Sequence, residues 1–174
     1  GAAAVGGIVS LTARRSRAAM TPARPTALLG PPPVLAADAI GASESQQLIA
    51  VRVQLARIIP TVERLHPDAA RELRRADGEA APPLNALVER LAVLDRIRRD
   101  MPDTTAYTAA TSSCIDITAR LRAGAQTYER LVAASATMLA APDIARGTDE
   151  VLGPALDAMA AYTHGLQRSA GGSG

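Results

Sequence analysis

Between Pro102 and Pro142 the chain runs without proline, and small or apolar residues recur along it at alternating steps of three and four. They are Tyr107, Ala110, Cys114, Ile117, Leu121, Gly124, Tyr128, Leu131, Ser135 and Met138. Only a helix places such positions on one stripe, and a mean step near 3.5 is the period of left-handed helix packing. The pattern predicts one long helix over residues 104–141, with Asp103 as its cap. Ala110, Gly124 and Ser135 let a neighbour approach closely, while Tyr107 and Tyr128 fill wider gaps. Gly124 costs a helix interior about 1 kcal/mol relative to Ala, so a close backbone contact is expected opposite it.

The rest of the chain offers shorter partners for that spine. Ser43, with Gln46 three residues on, reads as a capping box opening a helix over 43–65. Its stripe is Leu48, Val51, Leu55, Ile58, Val62 and Leu65, and Pro60 should kink its last turns. A short helix is expected over 68–76, with Asp68 and Glu72 toward its positive end and Gly78 as its stop. Residues 79–83 read as a break, because Pro82 and Pro83 follow. A further amphipathic helix over 83–100 carries the stripe Leu84, Leu87, Leu91, Leu94 and Ile97, with Val88 beside Leu87. Arg90, Asp95, Arg96, Arg98 and Arg99 fall off that stripe, and Asp95 and Arg99 are spaced for an i,i+4 ion pair. A last helix over 148–168 starts at Thr148 and presents Leu152, Leu156, Met159, Tyr162 and Leu166. Pro154 falls in its first turns, where proline is tolerated. No alternating β-branched run competes. The expected fold is all-α: an elongated antiparallel helical hairpin thickened by the last helix, or a three- to four-helix bundle with coiled-coil-like packing.

Composition supports thin helical seams. There is no Trp or Phe and only 3 Tyr among 174 residues, yet 48% are hydrophobic. Ala, Leu, Val and Ile must therefore make the core. All 19 basic residues are Arg, a pattern of G+C-rich coding rather than of binding. The net charge of +2 and the interleaved acids give no broad basic field, so no nucleic-acid partner is expected. No aromatic platform is interleaved with the basic pairs for base stacking. Arg74–Arg75 and Arg98–Arg99 read as solvated faces balanced by Asp77, Asp95 and Asp100.

The residues that carry chemistry are sparse. His66 and His164 lack a second ligand at metal spacing, so no metal or other cofactor is expected. The lone Cys114 lies on the long seam and reads as a packed thiol. No Walker motif or dinucleotide fingerprint occurs, and no catalytic residue is assigned.

The first residues read differently. Residues 1–11 carry no charge, and Arg14, Arg15 and Arg17 follow at once. This order suits the last part of a membrane span and its cytoplasmic flanking cluster, and is the reverse of a secretory signal. Ala2/Gly6 and Ala3/Gly7 have the spacing of close-packed membrane helices. Pro22, Pro25 and Pro31 to Pro33 make an extended tether. The expected organisation is a membrane end over 1–20, a Pro-rich linker over 21–42, a helical domain over 43–168 and a flexible tail over 169–174.

An apolar start closed by Arg14–Arg15, a Pro-rich tether, and Ala/Arg/Leu-rich helices containing AGAQTYERLVAASATML (residues 123–139) occur here in one order. In this the chain resembles the actinobacterial phage-shock envelope-stress membrane proteins of the PspM family, over most of its length. The resemblance implies a bacterial inner-membrane protein whose cytoplasmic helices engage a PspA-like membrane-remodelling partner, with no catalytic residue. The seam over 107–138, or the Leu84 to Ile97 stripe, would be the natural surface for a helical partner. The small residues in the long seam make it a poor zipper for self-pairing. Partner contact is therefore expected on outer helix faces and on the Leu84, Leu87, Leu91, Leu94, Ile97 stripe. Two other readings remain: a self-associating coiled-coil protein forming homo-oligomers, and a helical bundle holding a small ligand between helices near Tyr128 and Cys114.

Overall fold

A computed structural model describes residues 35–140 and 148–172. Four helices follow in order: α1 (Ala42–Leu65), α2 (Pro67–Asp100), α3 (Thr105–Ala140) and α4 (Gly153–Gly171). A single tight turn with π-type spacing, Thr148–Leu152, leads into α4. The all-α expectation holds, in its four-helix form. The membrane end over 1–20, with Arg14, Arg15 and Arg17, and most of the tether lie outside the described residues. Among the described residues, no helix is long and apolar enough to cross a membrane.

The connections force an up-down-up-down course. Only His66 separates α1 from α2, so the two run antiparallel. Arg52 of α1 pairs with Asp77 of α2, and Gly41 beneath α1 abuts Leu91. Tyr128 of α3 reaches Asp77, and Gly124 abuts Leu84, so α3 reverses α2. Tyr162 of α4 reaches the Arg120 carbonyl on α3, reversing direction again. The α2–α3 pair is the centre; α1 fills one of its grooves and α4 the other.

The α3 seam is the spine, as its heptad predicts. Ala110, Cys114, Ile117, Leu121, Gly124, Tyr128, Leu131, Ser135 and Met138 are all buried, and Tyr107 is half-buried. Thr104, not Asp103, caps α3, because the Tyr107 N–H donates to Thr104 Oγ1 at 3.1 Å. Asp103 instead takes the left-handed turn, with φ 60°.

Opposite Gly124 lies side chain rather than backbone. A Cβ there would stand 2.8 Å from the Tyr162 hydroxyl oxygen and 3.0 Å from Leu84 Cδ2. The missing methyl makes a notch that seats Leu84 and Tyr162 together.

The main correction concerns α2. The expected break over 79–83 does not exist: a single 34-residue helix passes through Gly78, Pro82 and Pro83. Each proline removes one N–H from the helix ladder. Gly78 and Glu79, whose carbonyls lose those donors, are exposed to water. The flanking Ala80, Ala81, Leu84, Leu87 and Val88 are all buried in the core. Their burial, at about 1.5–3 kcal/mol for each large side chain, opposes the local penalty.

Smaller corrections follow the same logic. The α1 stripe turns inward through Leu48, Val51, Leu55, Ile59 and Val62; Ile58 is half-buried and Leu65 is 51% exposed. Ser43 is not a cap, since α1 starts at Ala42 behind Gly41 in the left-handed conformation, φ 82°. Any Cβ at Gly41 would meet Thr118 Oγ1 at 2.5 Å and Leu91 Cδ2 at 2.7 Å, so only glycine lets the chain enter here. Ala39 is buried and Leu35 and Ile40 pack on the core, so the fold begins before residue 43. At the other end α4 runs to Gly171, past the expected limit at 168. Thr148 opens the π-type turn instead of capping an α-helix.

Replacing Pro83 with Ala should raise stability, by up to about 3 kcal/mol less whatever the ring's contacts contribute, because a helix donor is restored. A fall in the urea midpoint would show that the ring's contacts outweigh the restored donor. Gly124→Ala should destabilise by about 1 kcal/mol: the gain in helix propensity is smaller than the cost of overpacking. That penalty should largely vanish when Tyr162 is already Ala, which paired denaturation curves would measure.

Candidate functional site

The stripe singled out for partner contact is mostly interior. Leu84, Leu87 and Leu91 are buried between α2 and its neighbours, while Leu94 and Ile97 are half-buried. This corrects the expectation that the stripe is free for a partner. A helix at the centre of a bundle spends its strongest apolar ridge on its own chain.

A second ridge on α2 faces out. Ala86, Glu89, Arg90, Val93 and Leu94 line a shallow, mainly apolar depression of about 480 Å³. Val93 is 60% exposed, the most exposed large apolar side chain among the described residues. These positions recur at steps of three and four, so they share one face. Arg90 and Glu89 place both signs of charge beside the apolar strip. Sequence reading missed this ridge because Val93 sits next to Leu94 and was overshadowed by the stronger Leu repeat. Ile49 and Val53 on α1 and Ile115 on α3 are also exposed.

Two polar clusters tie the helices together. Arg52 reaches Asp77 through Nε at 2.9 Å and through a second nitrogen at 3.2 Å, and the Tyr128 hydroxyl donates to the same carboxylate at 2.7 Å. The Arg52 guanidinium also lies 5.9 Å from the Tyr128 ring centre. Burial, reinforced by the Asp77 charge, pushes the Tyr128 hydroxyl far above the ordinary tyrosine range, so it stays a donor. Burial works against the Arg52 charge, but its bonds to Asp77 outweigh that and raise its pKa. The cluster therefore joins α1, α2 and α3. Asp77 serves Arg52 rather than balancing Arg74–Arg75; those arginines pair with Glu63 and Glu79.

The second cluster closes the far end of α2. Asp95 is only 6% exposed, although its position lies off the apolar stripe. It accepts hydrogen bonds from Arg99 at 2.7 Å and Arg98 at 3.0 Å, and Arg99 also reaches Asp38 at 2.7 Å. The i,i+4 pairing of Asp95 with Arg99 is as expected. Burial pushes the Asp95 carboxyl upward, but the two arginines prevail and hold it below the ordinary aspartate range. Cys114 is fully buried nearby, and burial raises its thiol pKa, with the Asp95 charge adding to the effect. This is a packed thiol and not an activated one. Tyr162 is pushed up to about 12 by burial.

His66 links α1 to α2 and His164 is exposed on α4. Among the described residues, no group of three or more His, Cys, Asp or Glu is placed to hold a metal ion. No protein-family model, no curated protein and no solved structure matches this chain. The described residues form an Arg-laced all-α bundle whose α2 carries an outward apolar ridge.

Because the folded pKa of Asp95 is depressed, its contribution to stability is full above the unfolded value and is lost as pH falls through the folded one. Asp95→Asn should therefore cost about 1–3 kcal/mol near neutral pH. The difference from wild type should shrink as pH falls below the ordinary aspartate range and the carboxyl protonates in both states. Thermal melts across pH 2–7 would show a gap that closes only at the acid end.

Proposed function

We propose that this chain is a membrane-tethered, non-enzymatic helical interaction protein of the envelope-stress (phage-shock) response. Its helical domain lies on the cytoplasmic side of the bacterial inner membrane and engages a PspA-like membrane-remodelling partner. The resemblance to the PspM family supplies the system and the partner. The observation that carries the interaction role is the outward ridge of α2. Val93 and its neighbours form an apolar strip at helical spacing, flanked by Arg90 and Glu89, on a helix whose other ridge is already buried. An amphipathic helix laid along that face would cover the strip and meet both charges, the mode by which helices commonly dock in apolar grooves.

The same ridge gives the second reading its basis. Two copies apposed through Val93 would form a symmetric homo-oligomer, since an isologous contact needs only one self-complementary face. The partner reading predicts that Val93→Glu abolishes co-purification of a PspA-like protein with the full chain from membranes. The bundle's melting temperature should stay within a few degrees, because an exposed position is changed. Unchanged capture by Val93→Glu would overturn the docking face. A full chain that fractionates away from membranes would overturn the tether. A sedimentation shift from dimer to monomer on the same substitution, without partner capture, would select the homo-oligomer.

A further inference from the structure

α1 begins at Ala42, level with Leu91 and Thr118, where Gly41 abuts both. On that side of the α2–α3 pair, α1 therefore leaves the last turns of α2 and the first turns of α3 uncovered. Residues 35–41, which are not helical, take its place. Contacts fix two of their positions: Gly41 against Leu91 and Thr118, and Asp38 paired with Arg99 at 2.7 Å. Ala39 and Ile40 lie between these points, and so cross the level of Asp95, which is one turn from both Leu91 and Arg99. Cys114, one turn from Thr118, stands at the same level, and its carbonyl accepts the Thr118 hydroxyl at 2.7 Å. Burial and then the Asp95 charge raise the Cys114 thiol pKa, so the two groups are neighbours. Ala39 is buried, and Leu35 and Ile40 pack on the core.

This stretch is held far less firmly than the helices. Apart from Leu35 and Ile40 it consists of Ala36, Ala37, Asp38, Ala39 and Gly41, which bury little apolar surface. Its backbone bonds stay within the stretch or run to the start of α1. Ala39 donates to the Ala36 carbonyl at 2.9 Å, Ala42 to Ala39 at 3.1 Å and Ser45 to Gly41 at 2.9 Å. Among the described residues, none of them reaches α2 or α3. The Asp38 side chain is 76% exposed, and an exposed ion pair is a weak fastener. Gly41, with φ 82°, supplies a pivot at one end. A segment with few buried side chains and no backbone bonds to the elements beneath it opens locally before the bundle unfolds.

We propose that residues 35–41 are a detachable strap, which swings away about Gly41 while the four helices stay folded and so admits water to Asp95 and Cys114. The Asp38–Arg99 pair is its latch. Whatever holds residues 1–34 acts on the bundle through this strap first, because the chain passes through it before α1. Under the membrane-tether reading that load comes from the membrane; the opening itself does not depend on that reading. It is also separate from the docking strip, since no strap residue lines the depression around Val93.

Cys114 is the single cysteine of the chain, so a thiol reagent reads the opening at one place. The experiment labels the full chain with methyl methanethiosulfonate at low urea, and follows exchange of the Ala42 amide alongside. Labelling should outpace global unfolding and depend only weakly on urea, as a small local opening does. Asp38→Asn should speed labelling and Ala42 exchange by the same factor, about two- to fivefold, which is what loss of an exposed ion pair allows. Gly41→Ala, whose Cβ would strike Thr118 and Leu91, should speed both by about tenfold or more with helical content retained. Glu63→Gln, which breaks the exposed Arg74 pair at the other end of the bundle, should leave the rate unchanged. If Gly41→Ala fails to fold, Asp38→Asn against Glu63→Gln decides alone. Labelling that shows the full urea dependence of global unfolding would overturn the strap. So would a rate indifferent to Asp38→Asn, an equal response to Glu63→Gln, or faster labelling with Ala42 exchange unchanged.

Discussion

The contact of Leu84 with the notch at Gly124 is where the central pair of helices is set, and most other features depend on it. Leu84 follows Pro82 and Pro83, at a point where the local backbone is weakest. It is completely buried against α3 beside Tyr162. A larger residue than glycine at 124 would push both side chains away. With the notch open, α2 is held against α3 on both sides of the prolines and stays helical over its full length. An unbroken α2 then offers two grooves, one taken by α1 and one by α4, and the four-helix arrangement follows.

Apolar burial alone leaves the helices free to slide, since Ala and Leu ridges interdigitate in several registers. The polar ties restrict that freedom. Asp77 accepts from both Arg52 and Tyr128, so α1, α2 and α3 are fixed at one level. Tyr162 donates to the Arg120 carbonyl at 2.6 Å and fixes α4 on α3. Asp95, held by Arg98 and Arg99, secures the end of α2, and Arg99 extends the tie to Asp38 ahead of α1. These pairs cost desolvation and contribute modest net stability, but each is satisfied in only one register.

Placing α2 at the centre also decides what its surface can offer. Its Leu ridge is consumed internally, and its outer ridge around Val93 stays exposed. The groove it makes with α4 differs in kind, being acidic at the rim and closed at the floor. One helix thus carries an exposed apolar strip and edges a small acidic groove on separate faces.

The sequence by itself determined the class and the spine. A proline-free heptad from Tyr107 to Met138 has no stable alternative to a long helix with one inward face, and that face is buried as its spacing requires. The packed place of Cys114 on the long seam and the Asp95–Arg99 pair were also legible, because each follows from helical spacing along one stretch of sequence. Tertiary structure decided the rest. Whether Pro82 and Pro83 break a helix depends on what Ala80, Ala81 and Leu84 find to pack against, and local propensity cannot report that. Whether the Leu84, Leu87 and Leu91 ridge faces a partner or the core depends on how many helices surround α2. The triad of Arg52, Asp77 and Tyr128 joins residues far apart in the chain, so only the fold brings them together.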